Sequence, residues 1–259
     1  EIAKFRAARK IWAEIMKNRY EVTNEKAMMC RFHTQTGGST LTSEQVDNNV
    51  VRTTIQALSA VLGGTQSLHT NSRDEALSLP TDESAKLALR TQQIIAHETN
   101  IPNYPDPFGG SYVIEELTEN LVKKTFKLID KIDLMGGAIS AIENGWIESE
   151  ISKSAYEYQR NIDDKKQVIV GLNKYSNNET KQIDTFDIDQ DSTNKQITSL
   201  KTYKKNRDNE SVNVRLKKLK TLARSNENII PGLIKCVQSA CTLGEMSDVL
   251  REVYGNHSH

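Results

Sequence analysis

Two glycine pairs constrain the fold of this chain most strongly, because each marks a corner between a strand-like run and a helical run. The pair at 37–38 ends a run of alternating residues at 27–35, and the pair at 63–64 ends a helical pattern at 43–62. Glycine supplies the backbone freedom that such corners require. The order of strand, helix, strand and helix is typical of βαβ units, which form a parallel sheet in either a barrel or a doubly wound fold.

Hydrophobic periodicity predicts the individual elements around these corners. Residues 27–35 alternate with period two, so Arg31, His33 and Gln35 share one polar face of a strand. Thr42 is a suitable N-cap for the helix at 43–62. The other predicted elements are a second strand at 65–72, an apolar run at 167–172 that is compatible with a strand, and helices at 2–17, 82–99, 111–134, 137–144, 147–163, 210–224, 229–241 and 244–254.

A sheet of only two parallel strands cannot be buried on both faces. The sequence therefore predicts an α/β fold whose sheet is completed by polypeptide from outside this chain. The chain opens on a helical pattern without an initiating Met. We therefore expect it to start inside a larger protein.

The charge balance limits the classes of partner. Lys plus Arg and Asp plus Glu both number 34, so the net charge is zero. Neutrality argues against a strongly electrostatic binder of nucleic acid or of an anionic membrane. The lysine-rich stretch at 201–205 is accordingly interpreted as a solvated helix face.

The cysteines bear on the cellular compartment. Cys30, Cys236 and Cys241 form no CxxC motif, and their number is odd. Since no secretory leader precedes them, the sequence favours a reducing compartment, and the predicted location is the cytoplasm. Cys236 and Cys241 are predicted to pack in a core.

The polar face of the strand at 27–35 is the first candidate site. If Arg31, His33 and Gln35 point into a barrel, that barrel is lined for a polar ligand rather than packed solid with branched residues. The alternative is a strand whose polar face simply meets solvent.

The second candidate site is the polar segment at 66–79, at the end of the second predicted strand and in the loop after it. Parallel α/β folds keep their ligand sites at this end of the strands. Asp74 and Glu75 could bind hydroxyl groups there. The alternative is that these acids complement the dipole of a following helix.

Several standard cofactor and metal motifs are missing from the sequence. It contains no GxGxxG, no GxxxxGK[ST] and no HExxH, and its five histidines lack zinc-ligand spacing. We predict no metal site in this chain.

Long runs of the sequence strongly resemble the large, substrate-binding subunit of the methylmalonyl-CoA mutase family. These runs are RFHTQTGGSTLT at 31–42, NNVVRTTIQALSAVLGGTQSLHTNSRDEALSLPT at 48–81 and DPFGGSYVIEELT at 106–118. The resemblance implies an isomerase that uses adenosylcobalamin to rearrange acyl-CoA carbon skeletons through radicals.

The family's large domain is a TIM (β/α)8 barrel with coenzyme A threaded along its axis. The resemblance implies that residues 1–105 are the C-terminal part of such a barrel, containing its last strands, and that residues 106–259 are a mainly helical region after it. The family's active-site histidine, tyrosine and carboxylate-binding arginine would lie upstream, so no catalytic residue is expected in this chain. The cobalamin domain, with its DxHxxG motif, would be a separate or missing domain or subunit, and an oligomer is expected.

The resemblance assigns roles to six residues. His33 and Gln66 match positions that contact coenzyme A, and Gln35 matches a glutamine near substrate and cofactor. The three positions that match contacts to cobalamin or its adenosyl group are Gly38, Glu75 and Ser78.

Two departures leave the acyl substrate open. Ser39 stands where many methylmalonyl-CoA mutases have Trp, and Ser78 stands where alanine is usual. The run QTGGST is more similar to mutases of isobutyryl-CoA or 2-hydroxyisobutyryl-CoA. Besides a methylmalonyl-CoA mutase, the alternatives are therefore one of those enzymes or a non-catalytic binding or assembly chain.

Overall fold

A computed structural model describes residues 1–177 and 185–256. Within them the chain is mostly helical and contains one small parallel sheet. The chain divides into two compact units, Glu1–Phe186 and Asp187–His259. The helices are α1 (Ile2–Asn18), α2 (Glu25–Met28), α3 (Asn48–Leu62), α4 (Asp82–Glu98), α5 (Tyr112–Leu134), α6 (Ala138–Glu143), α7 (Trp146–Asp163), α8 (Gln190–Asn206), α9 (Asn209–Ala223), α10 (Ile230–Gln238) and α11 (Leu243–Tyr254).

The sheet consists of β1 (His33–Gln35) and β2 (Ser67–His69), which pair in parallel. His33 lies opposite Ser67, and Gln35 lies opposite His69. The parallel pair and its connecting helix α3 confirm the predicted α/β pattern. The structure shows only this two-stranded sheet in the described residues, so the end of a TIM barrel is not shown by it.

The predicted strand at 27–35 was wrong over most of its length. Asn24 caps the short helix α2 by accepting a hydrogen bond from the backbone N–H of Lys26, at 3.0 Å. The strand then begins only at His33, where β2 offers backbone partners. Alternation in the sequence did not reveal this, because a strand needs a neighbour as well as a pattern.

The helix predicted at 43–62 begins five residues later, and its N-cap was misassigned. Gln45 has a φ of +47°, a left-handed conformation that interrupts any helix started at Ser43. The Thr42 hydroxyl donates to the backbone oxygen of Glu44 instead of capping a helix. Regular α3 therefore starts at Asn48.

Two other predictions differ in detail. The strand predicted at 65–72 is reduced to β2, and the apolar run at 167–172 forms turns with one isolated bridge between Val170 and Lys174. The glycine of that run, Gly171, has a φ of +86°, which suits a turn rather than a strand. Helix α8 was not predicted beyond its lysine-rich end. Lys201 and Lys205 are exposed there as expected, whereas Lys204 is half-buried, with its Nζ 3.5 Å from the carboxylate of Glu245.

The core of the second unit is a compact apolar cluster. Leu219 and Cys236 are each 1% exposed, and Leu216 and Leu233 pack against the cluster from its edge. The buried members of the cluster are Val212, Leu219, Cys236, Cys241, Met246 and Val249. The predicted burial of the two cysteines in a core is confirmed.

The first unit places helices around the small sheet. Helix α3 packs against α1 and α4, and it buries the small residues Ala57 and Ala60. Helix α1 packs along α5. None of the helices in residues 1–177 and 185–256 is long and apolar enough to cross a membrane.

Candidate functional site

The exposed face of the small sheet carries four polar side chains. His33 and Gln35 on β1 are exposed, whereas Thr34 between them is half-buried. Ser67 and His69 on β2 are exposed in the same way. Since alternate residues of a strand point to one face, these four side chains share a single polar surface.

His33 and Gln66 lie together at the beginning of this surface. The ring atom Nδ1 of His33 is hydrogen-bonded to Oγ of Ser67 at 2.7 Å. The side chain of Gln66 accepts from the backbone N–H of Phe32 at 2.7 Å and donates to the backbone oxygen of Gly64 at 2.9 Å. Gln66 therefore connects the residues just before β2 to the residue just before β1. The structure does not test the predicted contacts of either residue with coenzyme A.

Asn71 lies beyond the carboxyl end of the strands and is only 2% exposed. Its Oδ1 accepts from the Thr36 hydroxyl at 3.0 Å and from the Gln35 amide at 3.4 Å. Its Nδ2 is buried and has no hydrogen-bond partner among the described residues. A buried amide donor without a partner is costly, which makes this atom a candidate for ligand binding.

Gly38 brings this amide and Glu75 together. A Cβ atom at Gly38 would lie 2.7 Å from Nδ2 of Asn71 and 3.1 Å from Oε1 of Glu75. Glycine is therefore the residue that permits this close approach. The structure places Glu75 beside Gly38, in the loop after β2.

The adjacent carboxylates of this loop have different environments. Asp74 is fully buried and accepts from the backbone N–H of Thr81 at 3.1 Å. Burial alone would raise the pKa of Asp74, but the nearby Ser72 hydroxyl, the backbone N–H of Thr81 and the Ser84 hydroxyl outweigh it and hold the pKa below its usual value. Asp74 therefore organises the loop, whereas the carboxylate of Glu75 is exposed.

The helix-dipole alternative is supported for Asp74, whose Oδ2 accepts from the backbone N–H of Thr81, the N-cap of α4. Helix α4 begins at Asp82, and the acids of its first turn are Asp82 and Glu83. Glu75 lies seven residues before Asp82 in the chain, and the described residues show no hydrogen bond from the first turn of α4 to the Glu75 carboxylate. Its exposed position next to Gly38 needs another explanation.

Arg31 and Ser78 contact groups other than Gly38, Asn71 and Glu75. Arg31 is exposed but precedes β1, and its guanidinium contacts the sulfur of Met29. The Ser78 hydroxyl donates to the backbone oxygen of Leu79 at 2.9 Å and accepts from the N–H of Phe186 at 3.4 Å. No observation tests the predicted role of Ser78 at the cofactor.

Sequence reasoning did not single out Asn71 or His69. Both belong to the polar segment at 66–79, which the sequence predicted to be a candidate site, but no role was assigned to either residue. Their positions became visible only from the register with β1 and from the approach of Gly38.

A cavity of about 930 Å³ adjoins the turn after Gly38. Ser39 and Thr40 line it on one side, and helices α5 and α7 line it on the other with Leu128, Trp146 and Tyr158. Its size and mostly apolar walls are those of a small-molecule pocket. Where the structure describes the chain, it shows no group of three or more metal-ligating side chains.

Comparison with known proteins identifies the relatives of this chain. The model of the family described as methylmalonyl-CoA mutase matches residues 1–256. The chain is 42% identical to a probable mitochondrial methylmalonyl-CoA mutase of Caenorhabditis elegans, with 100% of this chain and 35% of the relative covered. It is also 42% identical to the mitochondrial methylmalonyl-CoA mutase of Homo sapiens, with 99% and 34% covered.

A bacterial relative carries a different name. The chain is 40% identical to the 2-hydroxyisobutanoyl-CoA mutase large subunit of Aquincola tertiaricarbonis, with 99% of this chain and 46% of the relative covered. The chain thus spans between one third and one half of the length of these relatives. Because the family model matches nearly the whole sequence, the chain belongs to the methylmalonyl-CoA mutase family.

Proposed function

We propose that this chain is part of the large subunit of an adenosylcobalamin-dependent acyl-CoA mutase of the type that interconverts methylmalonyl-CoA and succinyl-CoA. In this proposal residues 1–105 form the C-terminal part of a TIM barrel, and residues 106–259 form the helical region that follows it. The remaining strands and the residues that handle the radical come from polypeptide outside this chain. The proposed compartment is the cytoplasm, which suits the three free cysteines.

The convergence of Gly38, Asn71 and Glu75 supports this proposal most strongly. These residues meet beyond the carboxyl end of a parallel strand pair, where α/β folds keep their ligands. The exposed carboxylate accepts hydrogen bonds, and the unpartnered amide donates one. A sugar with neighbouring hydroxyl groups, such as the ribose of an adenosyl group, satisfies both.

The residues of this cluster therefore fit the cofactor that the family resemblance implies. Adenosylcobalamin, when bound, supplies the radical that starts the rearrangement. Glu75 and Asn71 hold the sugar, and Gly38 allows these two side chains to approach each other closely. Ser78 is proposed to contact the same cofactor from the end of the loop.

The acyl-CoA substrate is proposed to lie along the exposed sheet face. His33 and Gln66 contact the coenzyme A portion at the beginning of the strands, and Gln35 lies nearer the cofactor. The hydrogen bond between His33 and Ser67 fixes the orientation of the imidazole before the ligand arrives. A separate cobalamin-carrying domain or subunit completes the site, in line with a relative whose name specifies a large subunit.

A second candidate function is the rearrangement of isobutyryl-CoA or 2-hydroxyisobutyryl-CoA. Ser39 favours it, because this small side chain lines an open cavity of about 930 Å³ next to the turn that begins at Gly38. The similarity to a 2-hydroxyisobutanoyl-CoA mutase large subunit points the same way. A non-catalytic binding chain remains the rival of another class.

The test is to assemble the complete large subunit containing this chain with the cobalamin subunit and adenosylcobalamin. Methylmalonyl-CoA, isobutyryl-CoA and 2-hydroxyisobutyryl-CoA are supplied separately, and their isomeric products are measured by chromatography. Conversion of one of them supports a mutase and identifies its substrate. Binding of acyl-CoA without conversion of any of the three would favour the non-catalytic chain.

A further inference from the structure

His69 is an exposed side chain on the candidate surface to which no role has been assigned. It is the last residue of β2 and lies opposite Gln35 in the parallel register. Its backbone oxygen accepts a hydrogen bond from the N–H of Thr36 at 3.1 Å, which fixes the strand at this point. The imidazole is thus held by a rigid element while it remains accessible.

The polar side chains of the sheet form two successive rows. The first row contains His33 and Ser67, with Gln66 immediately before it, and the second contains Gln35 and His69. The two rows are separated by two residues of strand, which is about 6–7 Å at roughly 3.3 Å per residue. Beyond the second row lies the cluster around Gly38.

This order restricts what the second row can contact. The inference rests on the proposed function, which places coenzyme A at the first row and the cofactor beyond the second. A ligand that extends from the first row to the cofactor must cross the second row. The part of the ligand at that row is the one that joins coenzyme A to the reacting carbons. In an acyl-CoA that part is the thioester.

We propose that His69 is a substrate-binding residue that contacts the thioester of the bound acyl-CoA. A neutral imidazole carries one N–H donor, and a thioester carbonyl oxygen is an acceptor. The neighbouring Gln35 amide already donates to Oδ1 of Asn71, at 3.4 Å. His69 therefore positions the acyl group, whereas His33 recognises the coenzyme A portion that every substrate shares.

Binding measurements separate these two roles without any need for turnover. Calorimetric titrations of the complete large subunit with coenzyme A and with isobutyryl-CoA give the affinity for each ligand. We expect His69→Ala to weaken binding of isobutyryl-CoA about 5- to 10-fold, the scale of one hydrogen bond, and to leave coenzyme A binding unchanged. His33→Ala should weaken both.

Two further variants serve as controls. His69→Gln retains a donor and should recover part of the lost affinity for isobutyryl-CoA. His97→Ala removes an exposed imidazole from the end of α4 and should affect neither ligand. Circular dichroism spectra check that each variant is folded.

The possible failures are distinguishable. If His33→Ala weakens both ligands but His69→Ala weakens neither, or weakens both equally, the role of His69 is contradicted and the proposed function stands. If the unmodified subunit binds neither ligand, the proposed acyl-CoA site is contradicted and the role of His69 falls with it.

Discussion

One polar site in each compact unit of this chain shows a different use of polar side chains. In the first unit, His33, Gln35 and His69 lie on an exposed sheet face, and the buried amide of Asn71 has an unpartnered donor. In the second unit, the guanidinium of Arg207 and the carboxylate of Glu245 are paired by two hydrogen bonds of 2.7 and 2.5 Å. The polar groups of the candidate site are thus exposed or unsatisfied, whereas Arg207 and Glu245 satisfy each other.

The largest expected effect is a loss of stability in the second unit. Leu219→Ala removes a side chain that is 1% exposed at the centre of the apolar cluster. We expect the free energy of unfolding of this unit to fall by about 3 kcal/mol, through lost burial and a residual cavity. Urea unfolding followed by circular dichroism measures the change.

Leu243→Ala is the matched control, since that leucine is 79% exposed in the same unit. This substitution should change the free energy of unfolding of the second unit by less than about 0.5 kcal/mol. Equal effects of the two substitutions would show that the apolar cluster does not stabilise this unit.

The Arg207–Glu245 pair is the next largest contribution. Glu245 also completes a capping box with Thr242 at the start of α11. Hydrogen bonds from Arg207, together with those from Thr242, hold the pKa of Glu245 well below its usual value of 4.5 despite partial burial. Glu245→Gln should therefore destabilise the second unit by about 2 kcal/mol at pH 7.

The pH dependence of this difference follows from the lowered pKa. The ionised carboxylate contributes stability that is fully present above pH 4.5 and is lost as the pH falls through the lower folded value. The advantage of the unmodified chain over Glu245→Gln should therefore stay constant above about pH 5 and shrink as the pH falls from about 4.5 toward about 2. Unfolding measured at several pH values checks this, and a constant difference would contradict it.

In the first unit, substitution of Glu75 should change ligand binding rather than stability. Glu75→Ala is expected to weaken adenosylcobalamin binding by about 1–3 kcal/mol, the scale of a hydrogen bond to a charged group. Glu75→Gln should retain part of the affinity, and coenzyme A binding should change little. Absorbance titration of the assembled mutase measures the cofactor, and unchanged affinity would leave Glu75 without a role there.

The last predicted effect on stability concerns Cys236 in the second unit and is seen only at alkaline pH. Burial, together with the neighbouring Cys241 thiol, raises the pKa of Cys236 from 9.0 to about 11. Because the unfolded thiol ionises first, the stability that the neutral thiol contributes is present below pH 9 and is lost as the pH rises toward 11. Cys236→Ala should flatten the alkaline limb of the stability profile, and an identical slope in both proteins would contradict this assignment.

Sequence patterns predicted elements best where local periodicity decides the structure. The long helices α4, α5 and α7 begin and end within one residue of their predicted positions because their faces are amphipathic and their ends are marked. The prediction of a strand over 27–35 was wrong over most of its length, because alternation of residues does not supply a pairing partner. The predicted first residue of α3 was wrong because Gln45 adopts a positive φ, and no residue type there signals this conformation as a glycine would.

The candidate site was predictable only in part. The polar composition at 66–79 and the family resemblance indicated Glu75 and Gly38, and the structure brings them together. The separation of the buried Asp74 from the exposed Glu75 was not predictable, because adjacent residues of one type look alike in a sequence. The alignment of His69 with Gln35 depends on the register between β1 and β2. The residue pattern of two three-residue strands does not specify that register.

The most direct test of the account compares adenosylcobalamin affinity in two glycine variants of the assembled mutase. A Cβ at Gly38 would lie 2.7 Å from Asn71 and 3.1 Å from Glu75, whereas at Gly37 the nearest atom would be 3.5 Å away in Thr40. We expect Gly38→Ala to weaken cofactor binding by about tenfold or more and Gly37→Ala to leave it nearly unchanged. Equal affinities in the two variants would contradict the claim that Gly38, Asn71 and Glu75 form the cofactor site.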